Sequence, residues 1–228
     1  AVEAASVAAD ELMPVQNPPA GGSVLAAGPD RTAQIHAMDW PQLKASASRC
    51  SACTLHKTRK QAVVGVGDEK AEWLFVGEGP GAEEDERGEP FVGQAGKLLD
   101  NMLAAIALKR GSNVYIANVV KCRPPGNRTP EPADARACEP YLTRQIELIR
   151  PRLIVALGKV AAQNLLGLEA TLASLRGRVH QVRGTPLIVT YHPAYLLRNL
   201  VDKSKSWEDL CFAVETMQAL KQQQAGPN

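Results

Sequence analysis

Three polar residues, Glu78, Asn118 and His192, each stand at the end of a short apolar run. Such runs predict buried strands, and the carboxyl ends of parallel strands meet at one edge of a sheet. A carboxylate, an amide and an imidazole would then converge on one rim. That combination suits a small polar heterocycle that is handled with acid/base or electrostatic assistance. Taken singly, Asn118 could instead cap the next segment, and His192 could be a hydrogen-bonded, half-buried histidine.

A glycine-rich stretch, Gly77 to Gly81, surrounds Glu78 and includes Gly79 and Pro80. It is not a phosphate-binding P-loop, because no Gly-Lys-Ser/Thr follows it. It is not a dinucleotide fingerprint either, because Pro80 stands where the helix would begin. The acidic residues at 83–86 would also repel phosphate. From spacing alone, a tight turn between a strand and a helix explains the stretch equally well.

Four of the five cysteines have the spacing of a thiolate site. Cys50 and Cys53 form a C-x-x-C pair, and Cys122 and Cys138 stand further along the chain. Two neighbouring thiolates plus two distant ones can complete a tetrahedral site, and both zinc and a [4Fe-4S] cluster fit four thiolates. A disulfide or a redox-active pair is the weaker interpretation. The fifth cysteine, Cys211, lies in a helical run and is predicted to be a buried apolar residue.

These residues need a scaffold in which strands alternate with helices. Apolar runs predict strands at 73–76, 114–117, 153–157 and 187–191. Helical spacing and boundary residues predict helices at 93–107, 132–149, 159–166 and 206–221. Alternation of this kind predicts an α/β fold whose parallel sheet is covered by helices on both faces.

The composition bounds the class of protein. The 228 residues carry a formal charge of +2, and no apolar run approaches the ~18 residues of a membrane helix, so no membrane association is expected. We expect a disordered or weakly ordered tail at 1–45, one domain at 46–221 and a frayed end at 222–228. The early apolar residues follow no basic region and are interrupted by acidic ones, so a cytoplasmic location is expected rather than export.

The chain also contains four motifs in a set order. They are Gly77-Glu78-Gly79-Pro80-Gly81 with Gly88-Glu89-Pro90-Phe91-Val92-Gly93, Asn118-Val119-Val120-Lys121-Cys122-Arg123-Pro124-Pro125, the four cysteines, and His192-Pro193-Ala194-Tyr195-Leu196-Leu197-Arg198. Together they resemble the family 4 uracil-DNA glycosylases, the iron–sulfur branch of the uracil-DNA glycosylase superfamily. The resemblance covers roughly residues 50–210.

The resemblance implies a three-layer α/β/α fold with a four-stranded parallel sheet. It implies an enzyme that flips uracil out of double- or single-stranded DNA and hydrolyses its N-glycosidic bond, which leaves an abasic site and initiates base excision repair. It further implies that Cys50, Cys53, Cys122 and Cys138 hold a structural [4Fe-4S] cluster. We expect such an enzyme to act as a monomer.

The resemblance also assigns roles within the site. The residues expected to hold uracil are Glu78, Gly79, Pro80, Glu84, Phe91, Asn118 and His192. Asn118 would read O4 and N3–H, Glu84 would exclude the methyl group of thymine, and Phe91 would stack on the base. Glu78 and His192 are the expected catalytic residues, with His192 at O2 of the leaving group and Glu78 near the attacking water. Without the resemblance, core packing is the simpler interpretation of Phe91.

DNA contacts are expected from Leu196 and Leu197, as an apolar wedge, and from Arg198. Residues 121–128 and 177–178 are further candidates for phosphate contact. From residue 151 onward nine Lys and Arg stand against five Asp and Glu, whereas the first 49 residues hold three against five. Leu196 could equally face the core. The alternative functions are a non-catalytic iron–sulfur or zinc DNA-binding protein, and an electron carrier, which would have no use for Asn118.

Overall fold

The computed structural model describes residues 29–225, and these contain one six-stranded sheet. Its strands are β1 (Val66–Gly67), β2 (Trp73–Gly77), β3 (Val114–Asn118), β4 (Leu153–Leu157), β5 (His180–Val182) and β6 (Thr185–Thr190). The order across the sheet is β1-β3-β2-β4-β6-β5. Because β3, β2, β4 and β6 are parallel, their carboxyl ends lie along one edge.

The sheet differs from the predicted four-stranded parallel sheet at its two edges. The four predicted strands form its centre, and β1 and β5 add antiparallel strands on either side. Both added strands are very short and only partly buried, so neither has the continuous apolar run that indicates a strand. β5 and β6 form a hairpin whose turn residues, Arg183 and Gly184, have φ values of 51° and 81°, as a tight hairpin turn requires.

Helices cover both faces of the sheet. Within the described residues they are α1 (Pro29–His36), α2 (Trp40–Ser48), α3 (Ala82–Arg87), α4 (Gln94–Ala105), α5 (Pro132–Ile149), α6 (Lys159–Leu166), α7 (Leu172–Leu175), α8 (Pro193–Leu196) and α9 (Lys203–Ala225). Short 3-10 turns span Thr54–Lys57, Pro125–Asn127 and Leu200–Asp202. Among residues 29–225, no helix combines the length and the apolar character that crossing a membrane requires.

The side chains of β2 show how the sheet separates two cores. Leu74 and Val76 pack into one core with residues of α1, α2, α5 and α6. Phe75, which points the other way, packs into a second core with residues of α4 and α9, since successive side chains of a strand alternate between its faces. The sheet is therefore the middle of three layers.

A disordered or weakly ordered tail was expected at 1–45, but residues 29–45 form α1 and part of α2. Ile35 is 2% exposed and Leu43 is fully buried, and both belong to the core that contains α5. Asp39 caps α2 through a reciprocal pair of hydrogen bonds with Gln42, of 2.9 and 3.0 Å, which stabilises the start of the helix. The few apolar residues of this segment are widely spaced among polar ones, so its pattern was weak.

The folded part extends beyond the predicted domain boundaries at both ends. The folded part begins before the predicted residue 46, and α9 continues through residues 222–225, which were expected to be frayed. The remaining positions of both predicted termini, 1–28 and 226–228, lie outside the described residues.

Candidate active site

A cavity of about 470 Å³ opens beyond the carboxyl ends of β2, β3 and β6. The parallel register pairs Gly77 with Asn118, so the ends of β2 and β3 are adjacent, as predicted for ligand sites in such sheets. The residues expected to hold a base all line this cavity: Glu78, Gly79, Pro80, Glu84, Phe91, Asn118 and His192. The convergence of strand ends that was predicted from the sequence is therefore present.

Asn118 ends β3 and is 2% exposed. Its Oδ1 is buried and has no hydrogen-bond donor within the described residues. An unpaired buried acceptor costs about 1–3 kcal/mol, so this atom is suited to a donor that a ligand brings. Gly77 makes room for it, because a Cβ at that position would lie 2.5 Å from Oδ1.

Lys121 lies behind Asn118 and is 1% exposed. Its Nζ donates a 2.7 Å hydrogen bond to the backbone carbonyl of Asn118. Burial lowers the pKa of Lys121 to about 8, and the neighbouring thiols of Cys138 and Cys122 oppose that shift. A side chain in this position supports the backbone of Asn118 and cannot reach a phosphate, so Lys121 is excluded from the predicted phosphate contacts at 121–128.

His192 follows β6 directly and caps α8. Its Nδ1 accepts a 3.1 Å hydrogen bond from the backbone N–H of Ala194, so the neutral ring carries its proton on Nε2. Burial, together with the positive charge of Arg198, lowers the pKa of His192 to about 4, while Glu84 acts in the opposite direction. Near neutral pH, His192 is therefore an uncharged hydrogen-bond donor at the cavity.

Phe91 forms an aromatic wall and is 6% exposed. Its ring centroid lies 5.5 Å from that of His192, with the two ring planes 31° apart. The ring also packs against Gly77, where a Cβ would lie 2.5 Å from Cζ of Phe91. The backbone of Phe91 has a φ of 56°, a conformation that costs a non-glycine residue on the order of 1–3 kcal/mol.

Glu84 connects two loops at the cavity with one carboxylate. Its Oε2 accepts a 3.1 Å hydrogen bond from the N–H of Gly81. Its Oε1 accepts hydrogen bonds of 2.9 and 3.2 Å from the N–H groups of Val92 and Gly93. The carboxylate cannot turn away without breaking all three bonds, so Glu84 presents a fixed surface.

Glu78 is half-buried where the chain leaves β2. Burial raises the pKa of Glu78, and the Thr129 side chain opposes the shift. Thr129 belongs to a second wall that sequence reasoning missed, formed by Pro124, Asn127, Arg128, Thr129 and Pro130. The run of prolines, glycine and asparagine after the Asn118 motif predicted a loop, but nothing in it indicated that the loop returns to the cavity.

The rim of the cavity differs from the prediction at Leu196. This residue is 1% exposed and packs with Met102 and Leu210, because α8 is a single turn that directs it inward. The next residue, Leu197, is 42% exposed, and Arg198 lines the cavity. The expected DNA contact at Leu196 is therefore corrected, while Arg198 remains in a position to meet DNA.

The four predicted ligand thiols are Cys50, Cys53, Cys122 and Cys138. All are free thiols. Cys122 lies close enough to Cys50 and Cys53 for their charges to raise its pKa. In the same way, Cys122 and Cys50 raise the pKa of Cys138. Within residues 29–225, no three His, Cys, Asp or Glu side chains converge on a position for a single metal ion. The fifth thiol, Cys211, is only half-buried, and it lies on α9, on the opposite side of the sheet from Cys138.

Basic groups surround these thiols. Arg59 Nη1 lies 2.8 Å from Sγ of Cys122, and Arg31 Nη2 lies 3.5 Å from Sγ of Cys50. The backbone N–H of Lys121 donates to Sγ of Cys138 at 3.2 Å. Burial raises the pKa of Cys53, Cys122 and Cys138. Positive charge and N–H donors oppose that shift, because they stabilise the thiolate form that binds metals. Four thiols in this setting fit an iron–sulfur cluster as a donor set.

Comparison with known proteins places the chain among its relatives. A family model described as the uracil DNA glycosylase superfamily matches residues 64–211. The type-4 uracil-DNA glycosylase of Archaeoglobus fulgidus is 53% identical over 156 residues, which cover 65% of this chain and 78% of that protein. The type-4 uracil-DNA glycosylase of Pyrobaculum aerophilum is 44% identical over 183 residues, covering 77% and 93%.

A more distant similarity gives a contrast within the superfamily. The type-5 uracil-DNA glycosylase of Thermus thermophilus is 34% identical over 149 residues, which cover 57% of this chain and 68% of that protein. Identity and coverage are both higher with the two type-4 proteins. The chain therefore belongs to the uracil DNA glycosylase superfamily, and within it to the type-4 uracil-DNA glycosylases.

Proposed function

We propose that this protein excises uracil from DNA by hydrolysing its N-glycosidic bond, which releases uracil, leaves an abasic site and initiates base excision repair. The observation that carries the proposal is the buried, unpaired Oδ1 of Asn118, in a cavity that also contains the Phe91 ring and a neutral His192. A base within a duplex cannot reach such a cavity, so the target nucleotide must first be flipped out or lie in a single strand.

Asn118 selects uracil by the polarity of its hydrogen bonds. Its Oδ1 accepts from N3–H of uracil, and its amide group donates to O4. Cytosine presents an acceptor at N3 and a donor at position 4. Oδ1 of Asn118 would then face an acceptor, and its NH2 group would face a donor. A site built to pair specific polar atoms rejects the reversed pattern strongly, provided that the amide is held in place. The bond from Lys121 to the carbonyl of Asn118 supplies part of that support.

His192 and Glu78 divide the hydrolysis between them. As the bond between C1′ and N1 breaks, its electron pair moves to uracil, and the Nε2–H of His192 stabilises the charge that collects on O2. A water molecule attacks C1′ and gives up a proton, and Glu78 is the carboxylate available to orient it and accept that proton. Burial, which raises the pKa of Glu78, makes it a better base.

Glu84 excludes thymine in this proposal. Fit alone discriminates one added methyl group by only about 1–3 kcal/mol, so a rigid obstacle beside C5 of the base is needed. The three backbone hydrogen bonds of the Glu84 carboxylate provide that rigidity.

DNA is proposed to bind across the rim next to His192, with the protein acting as a monomer. Arg198 lines the cavity and is suited to a phosphate. Leu197, rather than the buried Leu196, is exposed enough to occupy the gap that a flipped base leaves. Apolar side chains are known to insert between base steps in DNA-kinking proteins.

A [4Fe-4S] cluster is proposed to be held by Cys50, Cys53, Cys122 and Cys138. These thiols come from the segment after α2, the segment after β3 and helix α5. When bound, the cluster would cross-link those segments and take no part in the hydrolysis. Support comes from the free state of all four thiols and from the basic groups around them.

The first prediction tests the function. Asn118→Ala should reduce uracil excision about 100-fold or more, because the reading and positioning bonds are lost, while DNA binding and the fold are kept. Excision is measured by cleaving the abasic product of labelled U:G, U:A and single-stranded oligonucleotides. Asn164→Ala, an exposed asparagine of α6, is the matched control and should match the wild type.

Two results would count against the proposal. Wild-type activity in Asn118→Ala would remove Asn118 from the site. A wild-type protein that leaves no abasic product on any of the three substrates would refute the enzyme and favour a non-catalytic DNA-binding protein.

The second prediction concerns thymine. Glu84→Ala should raise the ratio of thymine to uracil excision at least ~10-fold, since the obstacle beside C5 is removed, and should slow uracil excision because two loops lose their connection. Glu84→Gln keeps the bulk of the side chain and should keep the ratio low. An unchanged ratio in Glu84→Ala would mean that another residue excludes the methyl group.

The third prediction concerns pH. Because the pKa of His192 is lowered to about 4, its ring stays neutral below the usual histidine pKa, and single-turnover excision should show no loss around pH 6.5. Activity should fall only at more acidic pH, as Glu78 is protonated. The unfolded chain takes up the histidine proton first, so the His192 contribution to stability is lost as pH falls from 6.5 to about 4.

A pH–rate profile of the wild type and of His192→Asn checks this. A wild-type transition near pH 6.5 that is absent from His192→Asn would contradict the neutral state of the ring.

The fourth prediction concerns the cluster. Protein purified without oxygen should contain about four irons and show iron–sulfur absorption. Cys122→Ser should lose iron, absorption and stability together, whereas Cys211→Ser should retain all three. Stoichiometric zinc without iron in the active wild type, or full iron content in Cys122→Ser, would overturn the assignment.

A further inference from the structure

The Phe91 wall of the cavity is held in an unfavourable backbone conformation. With a φ of 56°, this bulky residue occupies a region that glycine or asparagine usually fills, and such a conformation persists only where the surrounding structure enforces it. Gly93, two residues further on, has an ordinary extended conformation. Contacts from the surrounding structure must keep Phe91 in its conformation.

One of these contacts is a close approach of the Phe91 backbone to α4. A Cβ at Gly96 would lie 1.8 Å from the carbonyl oxygen of Phe91, so the missing side chain lets the loop settle on the first turn of the helix. This contact makes room for the Phe91 conformation but does not fix it, because Gly96 has no side chain that could donate to the Phe91 carbonyl.

The binding contact comes from Arg110, in the turn after α4. Its Nη1 donates to the carbonyl of Pro90 at 2.8 Å, and its Nη2 donates to the carbonyl of Phe91 at 2.7 Å. Its Nε donates to Oδ1 of Asp100 on α4 at 2.9 Å. A planar guanidinium can make these three bonds in fixed directions, whereas a lysine ammonium on a flexible stem cannot.

Arg110 does not line the cavity, so any effect on the base must pass through Phe91. The two carbonyls that it holds belong to the peptide groups on either side of the Phe91 Cα, so together they determine how the Phe91 backbone is turned. That turn places the ring against Gly77 and 5.5 Å from the ring of His192.

We propose that Arg110 is a positioning residue for the reaction, one that holds the stacking wall Phe91 in its left-handed conformation. The inference rests on the proposed uracil excision, because it assigns the base as the group that Phe91 contacts. A stacked ring contacts the flipped base before and during bond cleavage, so its displacement weakens binding of both states and raises KM more than it lowers kcat.

A double-mutant cycle tests this inference with the full-length protein and a single-stranded uracil oligonucleotide. Arg110→Lys should raise KM about 10-fold, with kcat within about 2-fold of the wild type. In a Phe91→Ala background the same change should alter KM less than about 2-fold, because the side chain through which Arg110 acts is gone.

Arg144→Lys is the matched control. The Arg144 side chain is 20% exposed and that of Arg110 is 21% exposed. Like Arg110, Arg144 bonds both a backbone carbonyl and a carboxylate: it donates to the carbonyl of Met38 at 2.7 Å and to the carboxylate of Glu147 at 3.2 Å. Its loss should lower the melting temperature without changing KM, which separates a general structural cost from positioning of the base.

Each outcome decides the inference. Equal effects of Arg110→Lys with and without Phe91, or an unchanged KM, would overturn it. Should Arg110→Lys fail to fold, Asp100→Ala, which removes the acceptor of the Arg110 Nε–H, replaces it in the same double-mutant cycle. An absence of coupling to Phe91 there would overturn the inference as well. Inactivity of the wild type would refute the proposed function instead.

Discussion

The space that Gly77 leaves empty is the constraint on which the cavity depends. At the end of β2, a single side-chain carbon would lie 2.5 Å from both Oδ1 of Asn118 and Cζ of Phe91, so no other residue type fits there without displacing one of them. The register of the parallel strands then brings Asn118 to the same level as Gly77. The Asn118 amide and the Phe91 ring can therefore both approach residue 77 because its side chain is a single hydrogen atom.

Hydrogen bonds to the backbone support this arrangement from behind. The Glu84 carboxylate uses both oxygens on backbone N–H groups, the Lys121 ammonium is directed to a carbonyl, and His192 uses Nδ1 to cap α8. Each side chain is held by backbone rather than by another mobile side chain. The Oδ1 of Asn118, in contrast, is buried and has no partner within residues 29–225. It lines the cavity together with His192, where a base would be read.

The parts of this structure that the sequence predicted are those with a strong periodic or motif signal. The four central strands were recognisable because each is a continuous apolar run, and the strand-end rule then placed Glu78, Asn118 and His192 together. The edge strands β1 and β5 and the helix α1 have no such run. Contacts distant in sequence stabilise β1 and α1, whereas β5 depends on its hairpin with β6. Leu196 and Leu197 are identical in type, so only the geometry of a one-turn helix decides which is buried. The return of Thr129 to the cavity depends on loop packing, which leaves no pattern in the local sequence.

The walls of the cavity come from segments that are far apart along the chain, with more than a hundred residues between Glu78 and His192. Joining such segments costs loop-closure entropy that no local contact repays, so the two cores on either side of the sheet must be in place before the walls can meet. No short fragment of the chain can therefore contain the site. Partial unfolding of one layer would disrupt the site even if most helices and strands remained. The protein can therefore bind a base only when the whole fold is complete.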